Sequence, residues 1–160
     1  MYLKITNKKI IYSMLLLGLL SACAPTPVKK TSTSDPQEQA RQQWANELKN
    51  GVPIYFAHNS SQLEQKYQVY LSTAAAILKS NQGFALEVEG HTDNIGNIKT
   101  NNRISLERAN TIRNLLVMQY GVNPNQIQTA GAGPAQPIAS NETVEGRALN
   151  RRVVLTLKIQ

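Results

Sequence analysis

Two residues of opposite charge stand out from an otherwise bland polar stretch. Asp93 closes the run Leu86-Glu-Val-Glu-Gly-His-Thr-Asp, and Arg108 follows it in Ile104-Ser-Leu-Glu-Arg-Ala. A guanidinium is a permanently charged planar fork that holds a carboxylate through two parallel hydrogen bonds. A carboxylate in turn accepts from an ammonium. Together they match the zwitterionic head of an amino acid, each charge finding a partner as it leaves water. An equally simple reading has Asp93 and Arg108 pairing with each other or capping a helix. The residue pair alone does not choose between these.

Other chemistries find little support. The chain has two histidines, His58 and His91, and one cysteine, Cys23. His91 and Asp93 are two apart, unlike the helical spacings that assemble zinc sites, and no third ligand is apparent, so no metal or other cofactor is expected. No nucleophile elbow surrounds a serine, and no second carboxylate is nominated to work with Asp93 as a hydrolase pair. The expectation is a binding protein, not an enzyme.

The elements that must position these residues follow from periodicity. Val52–Phe56 reads as a first strand after Gly51. Ser61 and Glu64 have the spacing of a capping box, and Leu63, Tyr67, Tyr70, Leu71, Ala74, Ile77 and Leu78 keep helical spacing to about Ser80. Phe84–Gly90 alternates as a half-buried strand. A polar loop through Asn94, Gly96 and Asn101 leads to a second helix from Ile104, which Gly121 stops. Ile127–Ala132 reads as a third strand, and Gly131, Gly133, Pro134 and Pro137 as a loop. Thr143–Leu149 reads as a short helix, and the alternation of Val153, Leu155, Leu157 and Ile159 as a closing strand. This order predicts an α+β fold, a two-layer α/β sandwich with helices packed on a four-stranded mixed sheet.

The 160 residues leave room for one domain plus non-globular sequence. Lys4, Lys8 and Lys9 precede an apolar run, Ile10–Leu20, that is shorter than the roughly 20 residues of a membrane-spanning helix and suits a secretory signal. Removal of those lysines lowers the formal charge of +7 to about +4, too mild and scattered to argue for nucleic acid. Residues 24–35 carry Pro25, Pro27, Lys29, Lys30 and a Ser/Thr run, which reads as a solvated linker. Its dozen or so residues span on the order of 40 Å when extended. Asp35-Pro36 then starts a short amphipathic helix with Ala40, Trp44 and Leu48 on one face; Trp44 is expected to anchor packing. The expected organisation is a signal over 1–22, Cys23 and linker over 23–35, this helix over 36–50 and the globular domain over 51–160.

Leu20-Ser21-Ala22-Cys23 resembles a bacterial lipobox, which implies acylation of Cys23, and Ala24 after it favours the outer membrane over inner-membrane retention. Residues from about 52 to 160 resemble the OmpA-like peptidoglycan-binding domain shared by Pal lipoproteins, the OmpA C-terminal domain and flagellar stator proteins. Four blocks carry the likeness: Ile54-Tyr55-Phe56 into Asn59-Ser60; Glu89-Gly90-His91-Thr92-Asp93-Asn94 with Gly96; Asn101 with Ile104-Ser105 and Arg108-Ala109; and Gly146-Arg147 into Asn150-Arg151-Arg152-Val153. The resemblance implies that Asp93 and Arg108 hold the free amino-acid end of meso-diaminopimelate in the peptidoglycan stem peptide. It places Asn59, Thr92, Asn101 and Arg151 along the same groove, while Arg152 is expected to pin the last strand. The chain departs from the family where Ala57-His58 follows Phe56, in place of the usual acid. The implied function is an outer-membrane lipoprotein, facing the periplasm, that tethers membrane to wall. The alternative is a structural subunit of a trans-envelope complex such as a secretion-system outer-membrane core.

Overall fold

The computed structural model describes residues 36–160. The expected signal segment, Cys23 and linker lie outside the described residues. Helix α1 runs Pro36–Asn50 and strand β1 Val52–Tyr55; α2 spans Gln68–Ser80, β2 Phe84–His91 and α3 Ile98–Met118. Strand β3 is Ile127–Gly133, α4 is Val144–Asn150 and β4 is Arg152–Ile159, with single 3-10 turns at Gln65–Tyr67 and Pro124–Gln126. The four strands form one sheet in the order β1-β4-β2-β3. The pairs β1/β4 and β4/β2 are antiparallel and β2/β3 is parallel, so the sheet is mixed as expected. The parallel pair needs a long crossover, and α3 supplies it.

Alternation along the strands sends Ile54, Leu86, Val88, Val153 and Leu155 into the core, where Leu71, Leu78, Ile112 and Leu116 of α2 and α3 meet them, all fully buried. Leu48 of α1 joins this core. Trp44 meets Tyr70 edge-on, ring centroids 4.9 Å apart at 87°, an arrangement that brings a positive ring edge to a negative ring face.

Two local expectations need correction. Ser61 and Glu64 do not form a capping box. The Glu64 carboxylate instead meets Lys66 Nζ at 2.8 Å, no side chain caps the 3-10 turn that follows, and α2 begins only at Gln68. Just upstream, the carbonyls of Ala57 and Ser60 accept from Arg108, which ties this stretch to α3 before α2 begins. Likewise α3 begins at Ile98, six residues before the apolar period shows it, so Asn101 lies in its first turn and not in a loop. Residues 98–103 have few apolar side chains to reveal a helix. They are helical because Asn97 Oδ1 accepts from Lys99 N at 2.8 Å, an N-cap that satisfies one of the orphan donors.

Two glycines set how closely α3 approaches the sheet. A Cβ on Gly90 would stand 1.9 Å from the Ser105 carbonyl oxygen, and one on Gly131 2.7 Å from Ser105 Oγ. Ser105 Oγ also accepts from Gly133 N at 3.1 Å, carrying β3 one residue beyond the expected end of the strand.

The connection from β3 to α4 has almost no regular structure and is held by side chains. Asn150, fully buried, accepts from the amides of Ile138 and Ala139 and donates to Ala139 O and Asn141 Oδ1, all at 2.9–3.1 Å. Arg147 donates to the carbonyls of Asn141 and Glu142, and Arg152 to that of Gln136. Truncation as Asn150→Ala leaves the amides of Ile138 and Ala139 and the carbonyl of Ala139, all part-buried, without these partners and opens a cavity where the fully buried side chain stood. The expected loss is about 2–4 kcal/mol, read as a lowered midpoint in urea.

Candidate functional site

The strand ends nearest the first residue of β4 converge on a cavity of about 220 Å³. Its lining draws on three segments far apart in sequence: His58 and Asn59 after β1, Thr92, Asp93, Ile95 and Gly96 after β2 with Thr100, Asn101, Ile104 and Arg108 of α3, and Arg151 before β4. All six residues expected to line a groove are therefore in one wall. Thr100, Ile104 and Arg108 recur every fourth residue, so one face of α3 forms a side of the cavity. Thr100 was missed because the helix start was placed too late. His58 sits at the rim.

Asp93 is buried but not idle. Its Oδ1 accepts from Ile95 N at 3.2 Å and its Oδ2 from Arg151 Nη1 at 3.0 Å, with His58 Nδ1 3.9 Å from the same oxygen. The loop that carries it is braced by Asn101, whose Nδ2 donates to the carbonyls of Asp93 and Ile95. A carboxylate offers about four lone-pair positions, so two remain. Asp93 thus pairs with Arg151 and not with Arg108.

Arg108 is 1% exposed and is held by backbone alone: Nε donates to Ser60 O at 2.8 Å, Nη1 to His91 O at 3.2 Å and Nη2 to Ala57 O at 3.1 Å. Phe56 lies beneath it, the guanidinium carbon 5.2 Å from the ring centroid. Burial, and after it the nearby charge of Arg151, lower its pKa to about 10, while Asp93 opposes the shift. It remains charged at neutral pH. Of five guanidinium hydrogens, three are committed, which leaves one on each terminal nitrogen. Sequence reasoning located Arg108 correctly on the helix but not its neighbours, which lie 48 and 51 residues away.

Arg151 bridges two parts of the wall. Besides Asp93, its Nε donates to Phe56 O at 3.4 Å, and its backbone pairs with Phe56 N. Asn59 is exposed with a left-handed φ of 48°, a backbone region that asparagine tolerates better than most residues. Thr92 is 4% exposed, and its Oγ1 has no partner among the described residues.

His91, one residue before Thr92, lies just behind the cavity. Burial, then the positive charge of Arg152, push its imidazole pKa down to about 4. It is therefore neutral in the folded protein from neutral pH down to about 4, whereas the unfolded chain takes up a proton near 6.5. The unfolded state binds more protons between these values, so this contribution to stability is intact above pH 6.5 and is lost as pH falls toward 4. The expected loss is about 2–3 kcal/mol. Urea titrations at a series of pH values should show a flatter profile over that window for His91→Gln.

The sequence model of the OmpA family matches residues 55–151. The chain belongs to the OmpA family. Outer membrane protein Omp38 of Acinetobacter baumannii strain ATCC 17978 is 38% identical over 133 residues, which are 83% of this chain and 35% of that protein. The probable lipoprotein YiaD of Escherichia coli K12 is 41% identical over 104 residues, 65% of this chain and 47% of that one. The chain thus spans between about a third and a half of these relatives. Among solved structures, the peptidoglycan-associated lipoprotein from Burkholderia pseudomallei superposes with a TM-score of 0.64 at 28% identity, covering 66% of this chain and 89% of that one. The family match begins at Tyr55 and ends at Arg151, so it contains the whole cavity wall. At Ala57-His58, where the resemblance leads to the expectation of an acid, the Ala57 carbonyl accepts from Arg108 and His58 reaches the cavity.

Proposed function

We propose that this OmpA-family domain binds peptidoglycan non-covalently through the free amino-acid end of meso-diaminopimelate in the stem peptide. The observation that carries the reading is the meeting of one buried carboxylate and two guanidiniums around a single cavity. Asp93 takes the ligand ammonium. Arg108, with one hydrogen left on each terminal nitrogen, presents a fork for the ligand carboxylate. Thr92 Oγ1, buried and unpartnered, supplies a further hydrogen bond, and Asn59 and Asn101 complete the groove. Nothing in this arrangement calls for catalysis, and the role is that of a grip.

Relatives that are outer membrane proteins and lipoproteins support a place in the outer membrane facing the periplasm. On this reading residues 1–22 are a signal peptide, Cys23 bears the lipid, residues 23–35 are the leash, and the folded part beyond them holds the wall. Two or more acyl chains are needed for stable anchoring, at about 0.8 kcal/mol per buried methylene. Tethering makes wall binding effectively intramolecular, so modest intrinsic affinity suffices. The same grip would serve inside a larger envelope-spanning complex.

Residues 36–160, produced without the leader, should sediment with purified sacculi and be released by excess tripeptide ending in meso-diaminopimelate. A domain that stays in the supernatant, or that the tripeptide does not release, overturns the reading.

A further inference from the structure

The charges around the cavity do not balance. Asp93 is the one acid among its lining residues, against Arg108 and Arg151. The two guanidiniums carry like charge around one cavity, and after burial the charge of Arg151 is the next cause that lowers the pKa of Arg108. They also differ in freedom. Arg108 is fixed by three carbonyls, whereas Arg151 has one carbonyl partner, at 3.4 Å, and Asp93. Its side chain keeps 15% of its surface exposed. Arg151 Nη1 here holds the Asp93 oxygen that a ligand ammonium would approach. An ammonium arriving alone would compete with Arg151 for Asp93 and leave Arg151 without an acid.

We propose that Arg151 is a specificity residue that passes from Asp93 to the ligand carboxylate as the ammonium settles on Asp93, so that the site selects a free end bearing both charges and rejects the carboxamide. This inference rests on the function proposed above and sharpens it, since it names which chemical form of the diaminopimelate end is taken. The exchange conserves ion pairs: Asp93 trades a guanidinium for an ammonium, and Arg151 trades one carboxylate for another. A carboxamide breaks the exchange. It has nearly the shape of the carboxylate but no charge, and its NH2 group would point donors at donors. Rejection by unpaired buried groups is stronger than preference by fit alone.

The test is calorimetric titration of residues 36–160 with two synthetic tripeptides that differ only at the carboxyl of the free diaminopimelate end, carboxylate in one and carboxamide in the other. Wild type should favour the carboxylate at least tenfold. Arg151→Gln should weaken the carboxylate peptide at least tenfold and leave the carboxamide peptide within about twofold, so the preference collapses. Arg151→Lys should retain part of the preference, because it keeps the charge and loses the fork. Thermal unfolding of each variant checks the fold, and the lysine variant decides the matter if the glutamine variant does not fold. Equal binding of both peptides by wild type, or equal weakening of both by Arg151→Gln, overturns the role of Arg151. Failure of wild type to bind either peptide overturns instead the function on which it rests.

Discussion

Asp93→Ala should abolish sedimentation with sacculi, with an affinity loss of at least about a hundredfold. Removing one member of a buried charge cluster costs 3–5 kcal/mol or so, much of it from the partners left without compensation. Here the paired Arg151 and the neighbouring Arg108 are left facing one cavity with no acid among its lining residues. The ligand ammonium would then enter a site of purely positive charge. Asp93→Asn separates this effect from any structural one. It keeps the shape and the oxygen that can accept from Ile95 N, so the domain should unfold near the wild-type temperature while sedimentation is still lost. If Asp93→Asn sediments as wild type does, the carboxylate is not the ammonium partner, and the site must be reassigned.

The second large effect is on the fold. Gly90→Ala places a methyl 1.9 Å from the Ser105 carbonyl oxygen, and a helix carbonyl cannot swing aside as a side chain can. Relief requires α3 to lift from β2. Overpacking of this kind against backbone should cost at least about 3 kcal/mol. For a domain of this size that is a fall of roughly 10 °C or more in Tm. Arg108 lies one turn beyond Ser105 on the same helix, so lifting α3 also draws the guanidinium from the carbonyls of Ala57, Ser60 and His91. The variant should thus lose wall binding even at temperatures where it stays folded. A Tm within 2–3 °C of wild type would show that the helix seats with more slack than its geometry implies.

The parts of this molecule that were legible in its sequence are those governed by local periodicity. β2 and β4 alternate cleanly, and the C-terminal two-thirds of α3 carry an apolar face, so strand, helix and mixed sheet all followed. The N-terminal turns of α3 were not legible because their helicity comes from a cap at Asn97 and from Asn101 bracing a loop. Nor was the false start at Ser61, whose spacing suits a capping box but whose expected partner Glu64 pairs with Lys66 instead. For the site, residue types and the family likeness nominated six of the eleven residues that line the cavity, and missed Thr100 among the rest. What they left open was the pairing. Asp93 and Arg151 are 58 positions apart, and only the packing of β4 beside β1 and β2 shows that Arg151, not Arg108, carries the partner charge of the acid.

The way β1 joins the sheet has a mechanical consequence. β1 is an edge strand that enters at Val52, opposite Leu155, and ends at Tyr55, opposite Arg152, beside the cavity. Once α1, with Leu48 and Trp44, had been drawn off the core, tension from upstream would enter the sheet at Val52, while a ligand in the cavity would pull from the other end. The line of force runs along β1, across the direction of its hydrogen bonds to β4. Bonds loaded in that way bear stress together, in shear, and do not open one after another as in a zipper. A domain loaded between those two ends would resist being torn open most strongly along the axis of β1.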